Sequence, residues 1–142
     1  MTMTKKQQIL AAAGEELPFR QEDVRFKGHA IECRINAEDP YGDFSPSPGH
    51  IAFHSPPQGK GIRVDTHVFS GYNVPPNYDS LLAKLIVTGK DREDAIARMR
   101  SALDEYIIEG VRTTIPFFKT VLDSETFKSG NYDTHYIDNY FQ

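Results

Sequence analysis

The spacing of apolar residues changes along this chain, and the order of that change limits the folds open to it. From His29 to Asn36 the residues alternate, Ile31, Cys33 and Ile35 against Glu32, Arg34 and Asn36, and an extended strand sends successive side chains to opposite faces. Ile62 to Phe69 repeats the pattern, with Ile62, Val64 and Val68 opposed to Arg63, Asp65 and His67. Leu81 to Thr88 is strongly apolar, with Lys84 as its single charge. A long helical repeat follows: Asp91 offers an N-cap, and Ile96, Met99, Leu103, Tyr106 and Ile107 recur at helical spacing up to Gly110. Strands that precede helices, rather than alternating with them, predict an α+β domain with a largely antiparallel sheet packed with helices, not a doubly wound parallel sheet.

Shorter signals fill the rest. Lys5 to Ala13 has good helix formers and stops at Gly14, while Gly14 to Gly28 reads mostly as loop. Ala37 to Gly49 carries Pro40, Gly42, Pro46 and Pro48, which mark a long surface loop of a kind that often serves function. His50 to Phe53 predicts a short strand, Ser55 to Gly61 a second turn, and Gly71 to Asp79 an irregular connection. Thr114 is placed as the cap of a second helix, Ile115 to Leu122, with Pro116 tolerated in its first turn. Helical turns at Glu125 to Lys128 and Thr134 to Phe141 finish the chain.

With 142 residues, 39% of them hydrophobic and 25% charged, one packed domain is expected. A formal net charge of -4 gives no general attraction to a polyanion, so nucleic acid is disfavoured as a partner. Cys33 is the one cysteine, which excludes an internal disulfide and points to a reducing, cytoplasmic setting. Neither a membrane-length apolar run nor a signal peptide is present, so no membrane partner is expected.

The candidate chemistry is narrow. No glycine-rich phosphate cradle precedes a helix, and Gly49, Gly59 and Gly61 lie in proline-rich loops. His50 and His54 are four apart, but Pro56 and Pro57 argue against the helix that this spacing needs, so no metal site is predicted. Cys33 falls on the apolar side of its strand and reads as core, as do Tyr106 and Ile107. Arg34 has two readings. Flanked on its own face by Glu32 and Asn36, its guanidinium fork can bind a carboxylate, bicarbonate or developing oxyanion. Alternatively it forms a structural salt bridge with Glu32, Glu38 or Asp39, and spacing does not choose between the two. Arg63 is either a sheet-surface charge or part of a polar contact between subunits.

The residues also carry a resemblance. His29-Ala-Ile-Glu-Cys-Arg-Ile-Asn-Ala-Glu-Asp-Pro40, followed by Phe44-Ser-Pro-Ser-Pro-Gly49, resembles the C-terminal domain of biotin carboxylase. The likeness continues through Gly61-Ile-Arg-Val-Asp65, Val74-Pro-Pro-Asn-Tyr-Asp-Ser80, Lys84-Leu-Ile, Ala95-Ile-Ala-Arg-Met-Arg100 and Gly110-Val-Arg-Thr-Thr. Residues 1–14 resemble the remnant of a linker helix that follows the family's ATP-grasp domain, and residues 15–142 the C-terminal domain itself.

The resemblance implies a ligase, either a separate biotin carboxylase subunit of acetyl-CoA carboxylase or the equivalent part of pyruvate or propionyl-CoA carboxylase. In that family ATP and bicarbonate yield carboxyphosphate, whose breakdown delivers carbon dioxide to the N1' nitrogen of biotin on a carrier domain. Arg34 matches the family's catalytic arginine, implied to stabilise the enolate-like oxygen of deprotonated biotin. Glu32 and Asn36 are its substrate-binding companions in this reading, and Arg63 matches an arginine near the dimer interface, although Lys60 stands where an aromatic is expected. ATP and Mg2+ are implied to be bound by N-terminal and ATP-grasp domains that this chain lacks. The isolated chain is therefore expected to be inactive, with those domains, a biotin carrier domain, a carboxyltransferase and a second copy as partners. The competing reading is a noncatalytic scaffold or dimerisation module, motivated by the apolar helix and the missing nucleotide site.

Overall fold

The structure, a computed structural model, describes residues 3–140. It opens with α1 (Lys5–Ala12), whose N-terminus is closed by a capping box between Thr4 and Gln7, and none of whose residues is buried. A single 3-10 turn at Gln21–Asp23 leads to β1 (His29–Asn36). β2 (Glu38–Asp39) and β3 (Ser45–Pro46) pair across the loop that follows. β4 (Gly49–His50), β5 (Phe53–Ser55), β6 (Ile62–Thr66), β7 (Asn73–Val74) and β8 (Leu81–Gly89) complete the strand-rich half. Then come α2 (Arg92–Glu105), β9 (Ile107–Glu109), α3 (Ile115–Asp123), α4 (Glu125–Ser129) and α5 (Tyr136–Tyr140).

The main sheet is antiparallel, with order β1-β8-β6. Its central strand, β8, has a strand on either side and α2 packed against it, which accounts for its nearly unbroken apolar sequence. Cys33, Ile35, Ala83, Leu85 and Val87 from the sheet meet Met99, Ala102 and Leu103 from α2, joined by Tyr106, Ile115 and Leu122. Each large side chain in this core is worth about 1.5 to 3 kcal/mol through removal from water. Asp91 caps α2 by accepting the Asp94 amide at 2.9 Å. A smaller core of Ala37, Ile51, Val68, Val74 and Leu82 lies beneath the short ladders. Cys33 belongs wholly to the main core, where burial, with a smaller contribution from the Glu32 carboxylate, pushes its thiol up to about 12. No helix among the described residues is long and apolar enough to cross a membrane.

The structure corrects the sequence reading in several places. The helical repeat expected to reach Gly110 ends at Glu105, because Ile107–Glu109 pairs with Phe53–Ser55 as β9 against β5. Ile107 is consequently exposed rather than core, while Tyr106 is buried as expected. Gly110 closes that excursion at φ +104, where a Cβ would overlap the His50 carbonyl oxygen and approach Ala52 N to 3.0 Å. The strand expected from His50 to Phe53 is instead two, β4 and β5, with Ile51 buried between them. β6 stops at Thr66 rather than Phe69, where the Thr66 hydroxyl donates to the Leu82 carbonyl and accepts the Val68 amide as the chain turns away. The loop from Ala37 to Gly49 holds the β2–β3 pair, with Asp43 and Phe44 in left-handed conformation and the Phe44 ring edge-on to Phe117 at 5.1 Å. Thr114 stands at the N-cap of α3 as expected, its carbonyl accepting the Phe118 amide at 3.1 Å, but its side chain makes no capping bond. The last helix begins at Tyr136 rather than Thr134, and Phe141, placed in it from sequence, lies outside the described residues.

Candidate functional site

Antiparallel partners share a face, so the register of the main sheet dictates what stands on the side away from α2. One row across the sheet holds Arg34, Lys84 and Asp65, and the next holds Glu32, Ile86 and Arg63. This face gathers three cations and two carboxylates. Arg63 is committed within it: its Nε donates to Asp65 Oδ1 at 2.9 Å and its terminal nitrogen to Asp65 Oδ2 at 2.7 Å. That forked pair holds the Asp65 carboxyl below its ordinary value, although both groups are exposed.

Arg34 is different. It is exposed on the same face and forms no ion pair among the described residues. Two of the three acids invoked for a structural salt bridge are otherwise placed. Asp39 pairs with Arg112, and Glu38 accepts from Asn36 Nδ2 at 3.1 Å and from the Ser80 hydroxyl. Glu32 stands beside Arg34 on the open face without an ion pair among the described residues. Of the three residues singled out on β1, the structure therefore brings Glu32 and Arg34 together on the exposed side. The Asn36 amide is turned toward Glu38, with its Oδ1 buried and without a hydrogen-bond partner.

The backbone here is held from both sides. Ile35 lies opposite Ala83, whereas Asn36 lies opposite Leu81, so the β8 strand carries an extra residue at this point. Such a bulge bends and twists a strand locally and re-aims the side chains beside it. On the free edge of β1, the buried Thr114 donates its hydroxyl to the Arg34 carbonyl at 3.1 Å and accepts the Asn36 amide at 3.0 Å. Its own amide donates to the Asn36 carbonyl at 3.1 Å. Sequence reasoning missed this role. A threonine before an apolar, proline-containing helix carries the signal of an N-cap, and only the fold brings its hydroxyl to a strand 78 residues away.

The two histidines tested as metal ligands go to separate partners. His50 Nδ1 lies 3.1 Å from Asn73 Oδ1, and His54 Nε2 lies 3.1 Å from the Tyr106 hydroxyl. Burial lowers the His54 pKa and pushes the Tyr106 phenol up to about 12. Among the described residues no group of three or more His, Cys, Asp or Glu side chains is arranged to hold a metal ion.

Comparison with known proteins gives this arrangement a relationship. The chain is 55% identical to one subunit of the pyruvate carboxylase of Methanothermobacter thermautotrophicus, over 95% of its own length and 28% of that protein's. It is 54% identical to biotin carboxylase 1 of Bacillus subtilis, over 95% of its length and 30% of the relative's. The chain thus spans under a third of these relatives. Among solved structures, it superposes with a TM-score of 0.87 and 50% identity on the biotin carboxylase domain dimer of Hydrogenobacter thermophilus 2-oxoglutarate carboxylase, solved with MgADP, ADP and bicarbonate. That match covers 93% of this chain and 29% of the other. Residues 32–139, which include most of the main sheet and the Thr114 contact, match the biotin carboxylase C-terminal domain, and the chain belongs to that family.

Proposed function

We propose that this chain forms one wall of the site at which an ATP-dependent biotin carboxylase transfers bicarbonate-derived carbon dioxide to biotin, with Arg34 as its catalytic group. The observation that carries the reading is an exposed guanidinium left without a carboxylate partner among the described residues, on a strand whose backbone is fixed on both sides. Removing the N1' proton of biotin places negative charge on the ureido oxygen. A donor already in position for that charge stabilises the transition state without reorganising at the moment of reaction. Arginine stays cationic at every working pH, and its planar fork suits both a ureido oxygen and bicarbonate. Glu32, on the same face, lies within the binding surface for these ligands. Asn36 contributes through the Glu38 and Ser80 network.

In this proposal residues 1–14 link the domain, residues 15–142, to an ATP-grasp portion of the longer protein, and that portion binds ATP and Mg2+. A biotin carrier domain delivers the substrate, and a carboxyltransferase uses the product. The exposed Arg63–Asp65 pair belongs to a contact with a second copy of the chain. The chain alone does not turn over ATP.

The test is to join the chain behind the N-terminal portion of Bacillus subtilis biotin carboxylase 1 and measure ATP cleavage dependent on biotin and bicarbonate. The hybrid is expected to be active. Arg34→Ala lowers its turnover by about 100-fold to 1000-fold, the range for losing one preorganised oxyanion donor, and leaves its melting temperature unchanged. An inert hybrid, or an Arg34→Ala hybrid with normal turnover, overturns the reading.

A further inference from the structure

An arginine held by a carboxylate takes its direction from that partner. Arg34 has none among the described residues, so its direction depends on how its stretch of backbone is anchored. β1 is an edge strand, and its pairing with β8 is interrupted between Ile35 and Asn36, one residue beyond Arg34. An edge strand with a bulge at its end is where a strand frays. The free side of this weak point is closed by one residue. Thr114 Oγ1 spans from the carbonyl before Ile35 to the amide after it, and the Thr114 amide takes the next carbonyl. Thr114 is itself 4% exposed, and its neighbour Ile115 is part of the main core. The anchor is therefore tied to the packed interior rather than to a loop.

We infer that Thr114 is a positioning residue for Arg34, holding the Arg34–Asn36 backbone so that the guanidinium projects in a fixed direction from the open sheet face. The role needs a group that donates and accepts at once, which serine preserves and the isosteric valine does not. The inference rests on the reading of Arg34 given above and adds to it the element that aims the group. Because a displacement of about 1 Å at a reacting centre can cost about 100-fold in rate, loss of this anchor acts on turnover more than on nucleotide binding.

Two measurements test it. In the 142-residue chain, amide hydrogen exchange followed by NMR shows Asn36 protected; Thr114→Val abolishes that protection and Thr114→Ser restores it. In the hybrid carboxylase, Thr114→Val lowers kcat for biotin carboxylation by about tenfold to 100-fold with the KM for ATP unchanged, and Thr114→Ser stays within about twofold of the parent. Equal losses in the serine and valine variants, or a valine variant with full kcat, overturn the inference. If Thr114→Val does not fold, the unsubstituted chain still decides: an Asn36 amide exchanging as fast as those of exposed loops overturns it. Normal turnover in Arg34→Ala would defeat the reading of the site, whereas a crippled Arg34→Ala beside a normal Thr114→Val would defeat the positioning role alone.

Discussion

Whether a surface arginine is structural or available depends on where the neighbouring carboxylates go. Around β1 two of the three go elsewhere, Asp39 to Arg112, 73 residues further along, and Glu38 to Ser80, 42 residues further along, while Glu32 stays on the Arg34 face without an ion pair among the described residues. The alternation of His29 to Asn36 is enough to place Arg34 on the polar side of a strand. It is not enough to decide between an ion pair and a free fork, because both competing partners lie far away in sequence. The same limit applies to Tyr106. Its spacing marks it as core, but its hydroxyl keeps contact with His54 Nε2 on β5, a pairing that no local pattern announces. Tyr106→Phe removes that bond while preserving the ring, and is expected to cost about 1 kcal/mol in urea unfolding, the usual net worth of such a bond. An unchanged unfolding midpoint would mean that the hydroxyl contributes nothing.

At the level of elements, β1, β8 and α2 are legible in the sequence because each carries enough periodic residues to declare itself, and β8 betrays its central position by lacking alternation. The ladders of two or three residues are not, since so short a strand is defined by its partner rather than by its own sequence. The overrun of α2 illustrates the competition. Ile107 continues the helical spacing, yet the pairing of Ile107–Glu109 with Phe53–Ser55 wins, and Gly110 permits it. A side chain at Gly110 meets both a backbone conformation unfavourable to L-residues and the His50 carbonyl. Gly110→Ala is therefore expected to destabilise the fold by at least about 2 kcal/mol. In a domain of this size that lowers the melting temperature by roughly 4 to 8 °C. A melting temperature that barely differs from the parent's in a thermal scan would contradict the steric account.

The molecule as a whole has a pH window set by groups whose proton affinity changes on folding. Cys33, ordinarily at 9.0, and Tyr106, ordinarily at 10.0, are both pushed up to about 12 by burial. The unfolded chain releases these protons first, so the stability they contribute is complete below about pH 9 and is lost as pH rises toward about 12. On the acid side His54 is lowered from 6.5 by burial, so the unfolded chain takes up that proton first and stability begins to fall below pH 6.5. Asp65, held down chiefly by Arg63, Asp94 by the Lys90 amide and then Arg98, and Asp104 by Lys119 and then Arg100, add a smaller loss below their ordinary 3.8, small because all three are solvent-screened. Urea midpoints measured across pH should form a plateau between roughly pH 6.5 and 9, and Cys33→Ala should soften the alkaline decline. A variant that declines as steeply as the parent would show that the thiol does not report on folding in this way.

Sealing the chain's one thiol under the sheet also gives the protein a reporter of its own opening. An alkylating reagent reaches that sulfur only when the packing between β1 and the helices that cover it opens, so the rate of modification measures how often the core breathes, with no label introduced and no second cysteine to confuse the signal.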